Sequence, residues 1–138
     1  MSCPLCRRTD ELLLWEDAHC RVIRVEDEHY PGFCRVIWNT HVAEMSDLPS
    51  VQRQHLLDVV VATEQALRAT LHPDKINLAS LGNMVPHLHW HVIPRHAGDR
   101  HFPDPVWAAP RRDGIPLAAP GDEALSAALR DALRATRT

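Results

Sequence analysis

Residues 87–93 read His-Leu-His-Trp-His-Val-Ile, three histidines in strict alternation with apolar residues. In an extended strand, residues two apart share a face. The spacing therefore predicts a strand that points His87, His89 and His91 one way and anchors Leu88, Trp90 and Val92 in a core on the other side. Three readings suit such a row. The first is a half-exposed strand with no special task, which chance alternation of so uncommon a residue makes a poor account. The second is a metal site, because residues i and i+2 of a strand sit roughly 6.5–7 Å apart at the backbone and their imidazoles can converge from there on one ion. The third is nucleophilic catalysis on phosphorus. Neutral imidazole attacks well at pH 7, the phosphoramidate it forms is labile, and flanking imidazoles can donate to phosphoryl oxygens or the leaving group.

A second constellation stands at the other end. Cys3-x-x-Cys6 has the spacing of a zinc knuckle, and two more ligands must come from elsewhere in a chain with ten histidines. Cys20 and Cys34 stand apart and read as buried packing.

The elements that must position these groups follow from local pattern. Leu12 to Trp15, Arg21 to Val25 and Phe33 to Trp38 read as three short strands, with Tyr30-Pro31-Gly32 as the turn before the third. Pro49-Ser50 opens a helix whose stripe is Leu56, Leu57, Val60, Leu67 and Leu71, closed by His72-Pro73. Ile76 to Leu81 gives a fourth strand, Gly82-Asn83 a turn, and His87 to Ile93 the fifth. Residues 96–120, rich in proline, are expected as an extended tail on the surface. Asp122 to Arg137 forms a terminal helix, with Asp122 and Glu123 in its first turn and Arg130, Arg134 and Arg137 later, as the helix dipole prefers. His55, inside the long helix, is expected to be exposed or capping, and Trp15, Trp38 and Trp90 to pack in the core. The order describes an α+β fold around an antiparallel sheet.

Bulk properties narrow the function classes. A chain of 138 residues suits one domain, and 45% hydrophobic residues supply a core that needs no staple to fold. The division expected is a core over residues 1–95, with residues 96–138 as an extension packed on the same domain. A net charge of -3 argues against general nucleic-acid binding. No apolar run is long enough to cross a bilayer, and Met1 to Arg7 does not resemble a signal peptide. The expected setting is therefore the cytoplasm, without nucleic-acid or membrane partners.

The run His87 to Ile93 resembles the signature of the histidine triad (HIT) family, His-φ-His-φ-His-φ-φ with φ apolar, and Pro94-Arg95 behind it is also typical. Upstream, Tyr30 to His41 looks like the family's Pro-Gly-His strand running into its Pro-Lys-x-His segment. The likeness covers residues 3–95 in element order and spacing. It implies a HIT-like fold, with an antiparallel five-stranded sheet and one long helix, to which this chain adds a C-terminal helical extension. It also implies a homodimer that cleaves at the α-phosphate of a dinucleoside polyphosphate or nucleoside phosphoramidate, the nucleotide containing adenosine.

By the same resemblance His89 is the nucleophile that forms a nucleotidyl-histidine intermediate, and His91 touches the α-phosphate and the leaving group. Asn77, Asn83 and His87 are carried over as nucleotide contacts. Asp27, or its neighbour Glu26, falls near the family's ribose-binding acid. Zinc-bearing relatives pair such cysteines with two histidines, so the implied ligands of a structural Zn²⁺ are Cys3, Cys6, His41 and His87. Mg²⁺ is expected only as a companion of a polyphosphate substrate. A substrate-selecting residue is implied in the tail, among His96, His101, Trp107, Arg111 and Arg112. The pattern departs from the family at Phe33, where a histidine is usual, and at Met84, where serine or threonine is common. Two alternatives stand beside this reading, a non-catalytic nucleotide-binding module and a metalloenzyme using all three histidines.

Overall fold

Antiparallel pairing decides which side chains share a face. The computed structural model describes residues 3–136. Its five strands are β1 (Leu12–Glu16), β2 (Cys20–Arg24), β3 (Cys34–Trp38), β4 (Lys75–Ala79) and β5 (His89–Arg95), in the sheet order β1-β2-β3-β5-β4. Three helices accompany them: α1 (Pro4–Arg7), α2 (Ser50–Leu71) and α3 (Asp122–Thr136). This is the expected α+β arrangement, an antiparallel five-stranded sheet with one long helix and a terminal helix. Arg137 lies outside the described residues.

Alternation divides the sheet. Val22, Cys34, Val36, Trp38 and Val92 are buried on one face against Leu56, Val59, Leu67 and Leu71 of α2 and Leu125, Leu129 and Leu133 of α3. The opposite face carries Arg35, Ile37, His89 and His91, with Arg35 directly across from His91 and Ile37 across from His89. One face thus makes the core, and the other is free to make a site.

Several boundaries differ from the sequence expectation, each for a local reason. β5 begins at His89, so His87 is not part of the strand. The backbone at Leu88 is held by Val42, whose carbonyl accepts its N–H at 2.8 Å, and by Trp38, which donates to its carbonyl at 3.1 Å. The three imidazoles therefore do not project in one row. β4 ends at Ala79 rather than Leu81, where the Ser80 hydroxyl donates to the His89 carbonyl at 2.9 Å. Leu57 is 37% exposed and drops out of the buried stripe of α2, which Val59, Ala62, Thr63 and Ala66 complete.

The segment after β5 is no surface tail at its start. Asp99 is 1% and His101 8% exposed. Arg95 donates to both Asp99 oxygens, at 2.8 and 3.1 Å, and the backbone N–H groups of His96, His101 and Phe102 also reach that carboxylate. The Tyr30 hydroxyl donates to it at 3.1 Å. A buried turn built on a carboxylate has no hydrophobic period, so pattern reading passes over it.

α1 is a further addition, one turn opened by Pro4 at its first position. No helix of the described residues is long and apolar enough to cross a membrane.

Candidate active site and metal cluster

The N-terminal turn is pinned before any ligand is considered. Arg21 of β2 is fully buried and donates to the Leu5 carbonyl at 2.6 Å, to both Glu11 oxygens at 2.7 and 2.8 Å, and to Asn39 at 3.0 Å. This arrangement presses α1 against the sheet and brings Cys3 and Cys6 over the end of β3. There the His87 Nδ1 lies 3.3 Å from Cys3 Sγ and 3.5 Å from Cys6 Sγ, and the His41 Nδ1 lies 3.4 Å from Cys6 Sγ. All four ligand atoms fall within 4.8 Å of one another.

The donor chemistry suits a tetrahedral ion. Zinc bonds of about 2.0–2.1 Å to nitrogen and 2.3 Å to sulfur place neighbouring ligand atoms roughly 3.5 Å apart. His87 is also set in the matching tautomer: its Nε2–H donates to the Trp38 carbonyl at 2.5 Å, leaving the Nδ1 lone pair facing the sulfurs. Burial lowers the His87 pKa and favours the neutral, ligating form. Desolvation and the neighbouring Cys3 raise the Cys6 thiol pKa, a cost that a dication between them would reverse. The cluster is compatible with zinc.

Two residues further, the chain enters β5 and the chemistry changes. His89 is 8% exposed, and its Nδ1–H donates to the His87 carbonyl at 2.6 Å. The remaining nitrogen, Nε2, keeps its lone pair. The His91 ring lies edge-on at 5.0 Å between centroids, and both imidazoles line a cavity of about 430 Å³. Burial depresses both pKa values, helped by the nearby Arg35 cation, and pushes His91 down to about 4. At neutral pH both rings are uncharged, the state a nucleophile or a hydrogen-bond donor needs. His91 Nδ1 is buried with no hydrogen-bond partner among the described residues.

Pro4 and Leu5 of α1 and the Leu81–Val85 loop form the other walls, and Trp107 meets His91 edge-on at 5.4 Å. The tail thus does reach the pocket, through Trp107. Phe33 packs edge-on against His91 at 5.7 Å, and Met84, 95% exposed, sits at the mouth.

The HIT domain family model matches residues 7–98. The chain belongs to the HIT domain family. It is similar to a histidine triad protein of Marinobacter aquaeolei, at 31% identity and a TM-score of 0.70, over 91% of this chain and 90% of that one. A histidine triad protein of Bradyrhizobium japonicum is 28% identical with a TM-score of 0.72, over 92% and 93% of the two chains. A Zn-bound histidine triad family protein of Mycobacterium smegmatis is 26% identical with a TM-score of 0.67, over 98% and 95%. Among proteins with curated descriptions, none matches the sequence. Membership of the HIT family sets the chain, in general terms, among nucleotide-binding hydrolases and transferases, a group that also contains non-catalytic members.

The HIT signature residues separate in space. Cys3, Cys6, His41 and His87 meet in one cluster, and His89, His91 and Asn83 meet in the neighbouring cavity. Asn77 stands elsewhere: its side-chain oxygen accepts from Arg95 at 2.7 Å, and it lines a groove that shares Trp107 with the cavity. Asp27 accepts the His29 backbone N–H at 2.9 Å, whereas Glu26 lines a groove shared with Arg35. His55, expected to be exposed or capping, is partly buried and pairs with Asp17 at 2.7 Å. Sequence reasoning missed Arg21, Arg35, Asn39 and Asp99. Arg35 had a legible signal, a charge at an alternating position of a strand otherwise made of Cys, Val, Ile and Trp.

Proposed function

We propose that this chain is a nucleotidyl hydrolase or transferase working in two steps through His89. Nε2 of His89 attacks the α-phosphorus, and the new phosphorus–nitrogen bond forms as the bond to the leaving group breaks. Water or an acceptor then attacks the nucleotidyl-histidine, which releases the nucleoside monophosphate and restores neutral imidazole. His91 holds phosphoryl oxygens and the leaving-group atom. The substrate class is a dinucleoside polyphosphate or nucleoside phosphoramidate carrying adenosine, with Mg²⁺ accompanying a polyphosphate. The observation that carries this reading is His89 itself, bonded through Nδ1 and free at Nε2 inside a cavity that also holds His91.

In the same reading zinc sits between Cys3, Cys6, His41 and His87 and fixes the segment entering β5, a structural task. The free thiols it needs suit a cytoplasmic setting. Asn83 supplies a polar contact at the pocket mouth. Asn77 and Asp27 support the site through Arg95 and the 27–29 turn. Residues 1–95 form the core unit and residues 96–138 an extension that closes it. A homodimer is favoured by the outer strand β4, whose Leu78 is 40% exposed, and by the exposed Leu57 and Val61 of α2.

Turnover of a panel of dinucleoside polyphosphates and phosphoramidates tests the activity. His89→Ala is expected to lower kcat/KM by about a thousandfold or more. Tight nucleotide binding without turnover of any member would instead favour the non-catalytic module, the reading that the apolar Phe33 and exposed Met84 support.

A further inference from the structure

Arg35 is a charge the chemistry above leaves unused. It stands directly opposite His91 across the β3–β5 ladder, so both side chains leave the same face of the sheet. It lines the cavity of His89 and His91, and it also lines an adjoining groove of about 340 Å³ walled in part by Ile23, Val25 and Glu26. The two spaces meet at its side chain, so a ligand spanning both must pass the guanidinium.

Nothing in its own surroundings accounts for a cation there. Among the described residues Arg35 makes no ion pair, and its buried Nε has no hydrogen-bond partner. The Phe33 ring lies 6.0 Å from the guanidinium carbon and offsets part of the cost. Burial holds the Arg35 pKa below its ordinary value, and no carboxylate opposes that effect. The guanidinium nevertheless stays protonated. Arg21 and Arg95 show what this fold does with a buried arginine of its own: each is matched to a carboxylate at 2.7–2.8 Å. A partly desolvated cation left unmatched is costly, and an entering anion would relieve that cost.

Among the described residues no aspartate, glutamate or lysine lines the His89 cavity, and Arg35 is the one arginine in its wall. We propose that Arg35 binds the phosphate of the nucleotidyl group and makes this pocket select phosphorylated over unphosphorylated nucleosides. The planar guanidinium suits two phosphoryl oxygens at once, whereas each imidazole beside it offers a single ring nitrogen. The assignment rests on reading the cavity as a nucleotide site, and it adds the group that recognises the anion.

Calorimetry on the full chain compares each of the four 5′-ribonucleoside monophosphates with its nucleoside. The native protein is expected to prefer at least one monophosphate by about tenfold or more, the scale of a charge-assisted pair. Arg35→Met reduces that preference to about threefold or less, and Arg35→Lys restores much of it. Should Arg35→Met fail to fold, Arg35→Gln carries the same test. No preference in the native protein, or an undiminished one in a folded Arg35→Met, would overturn the proposal. Turnover plays no part in this comparison. Preference lost in Arg35→Met with no catalysis in the native chain defeats the hydrolase reading alone, and catalysis through His89 with preference intact defeats Arg35 alone.

Discussion

His89 spends one ring nitrogen on the His87 carbonyl, at 2.6 Å, while His87 spends one on the Trp38 carbonyl, at 2.5 Å. The same local device, a backbone acceptor fixing a tautomer, leaves His89 with Nε2 for attack and His87 with Nδ1 for a metal. If the cluster holds structural zinc, metal analysis should find one ion per native chain, and Cys3→Ala should lose it. Zinc kept in Cys3→Ala but lost in His89→Ala would place the metal on β5 instead. The Arg95–Asp99 pair makes a stability prediction at this scale. Arg95 and its hydrogen-bonded neighbours hold the Asp99 carboxyl well below the usual carboxylate range, despite the opposing effect of burial. Because the folded-state pKa is the lower one, the pair stabilises the fold above the unfolded value of about 3.9 and loses that contribution as pH falls toward the folded one. Urea titrations should therefore show stability declining below about pH 4 in the native chain, and a flatter acid limb in Asp99→Asn. At pH 7, Asp99→Ala leaves Arg95 buried and unpaired, and should cost about 3–5 kcal/mol.

Elements decide how well these groups are held, and α3 is the clearest case. Leu125, Leu129 and Leu133, spaced four apart, close the core over α2 and β1. Leu129, 2% exposed, should cost about 2–5 kcal/mol as Leu129→Ala in equilibrium unfolding, and a change under about 0.5 kcal/mol would show that α3 is not integral to the fold. This helix was plain in the sequence because period, acidic start and basic end agree. The strands were equally plain, and their alternation placed His89 and His91 on one face before any coordinates. The departure of His87 from the strand was not plain, because the Leu88 N–H turns to the Val42 carbonyl and the Trp38 carbonyl is taken by the His87 ring, partners distant in sequence. The Asp99 turn was hidden for the same reason. Its partners, Arg95, Tyr30 and three backbone amides, form a polar core that no hydrophobic pattern records. Cys3, Cys6, His41 and His87 became a set through resemblance to a family, since spacing alone offered two ligands and many histidines.

The described molecule is a sheet with unlike faces, one covered by α2 and α3 and the other carrying the Cys–His cluster and the His89 cavity side by side. Arg21 and the Cys3–Cys6 turn hold the chain entering β5, and Arg95 and Asp99 hold the other end of that strand. At this scale the open β4 edge makes its own prediction. Light scattering at micromolar concentration should give a dimer mass for the native chain and a monomer for Leu78→Asp, whereas an unchanged dimer would move the interface away from β4. His89 is the proposed carrier of the nucleotidyl group. Rapid acid-free quenching of the chain with a labelled dinucleoside polyphosphate, followed by peptide mass spectrometry, tests that role most directly. A nucleoside monophosphate adduct is expected on His89, lost in His89→Ala and kept in Cys20→Ala; an adduct on another residue, or turnover that survives in His89→Ala, would overturn the role proposed for His89.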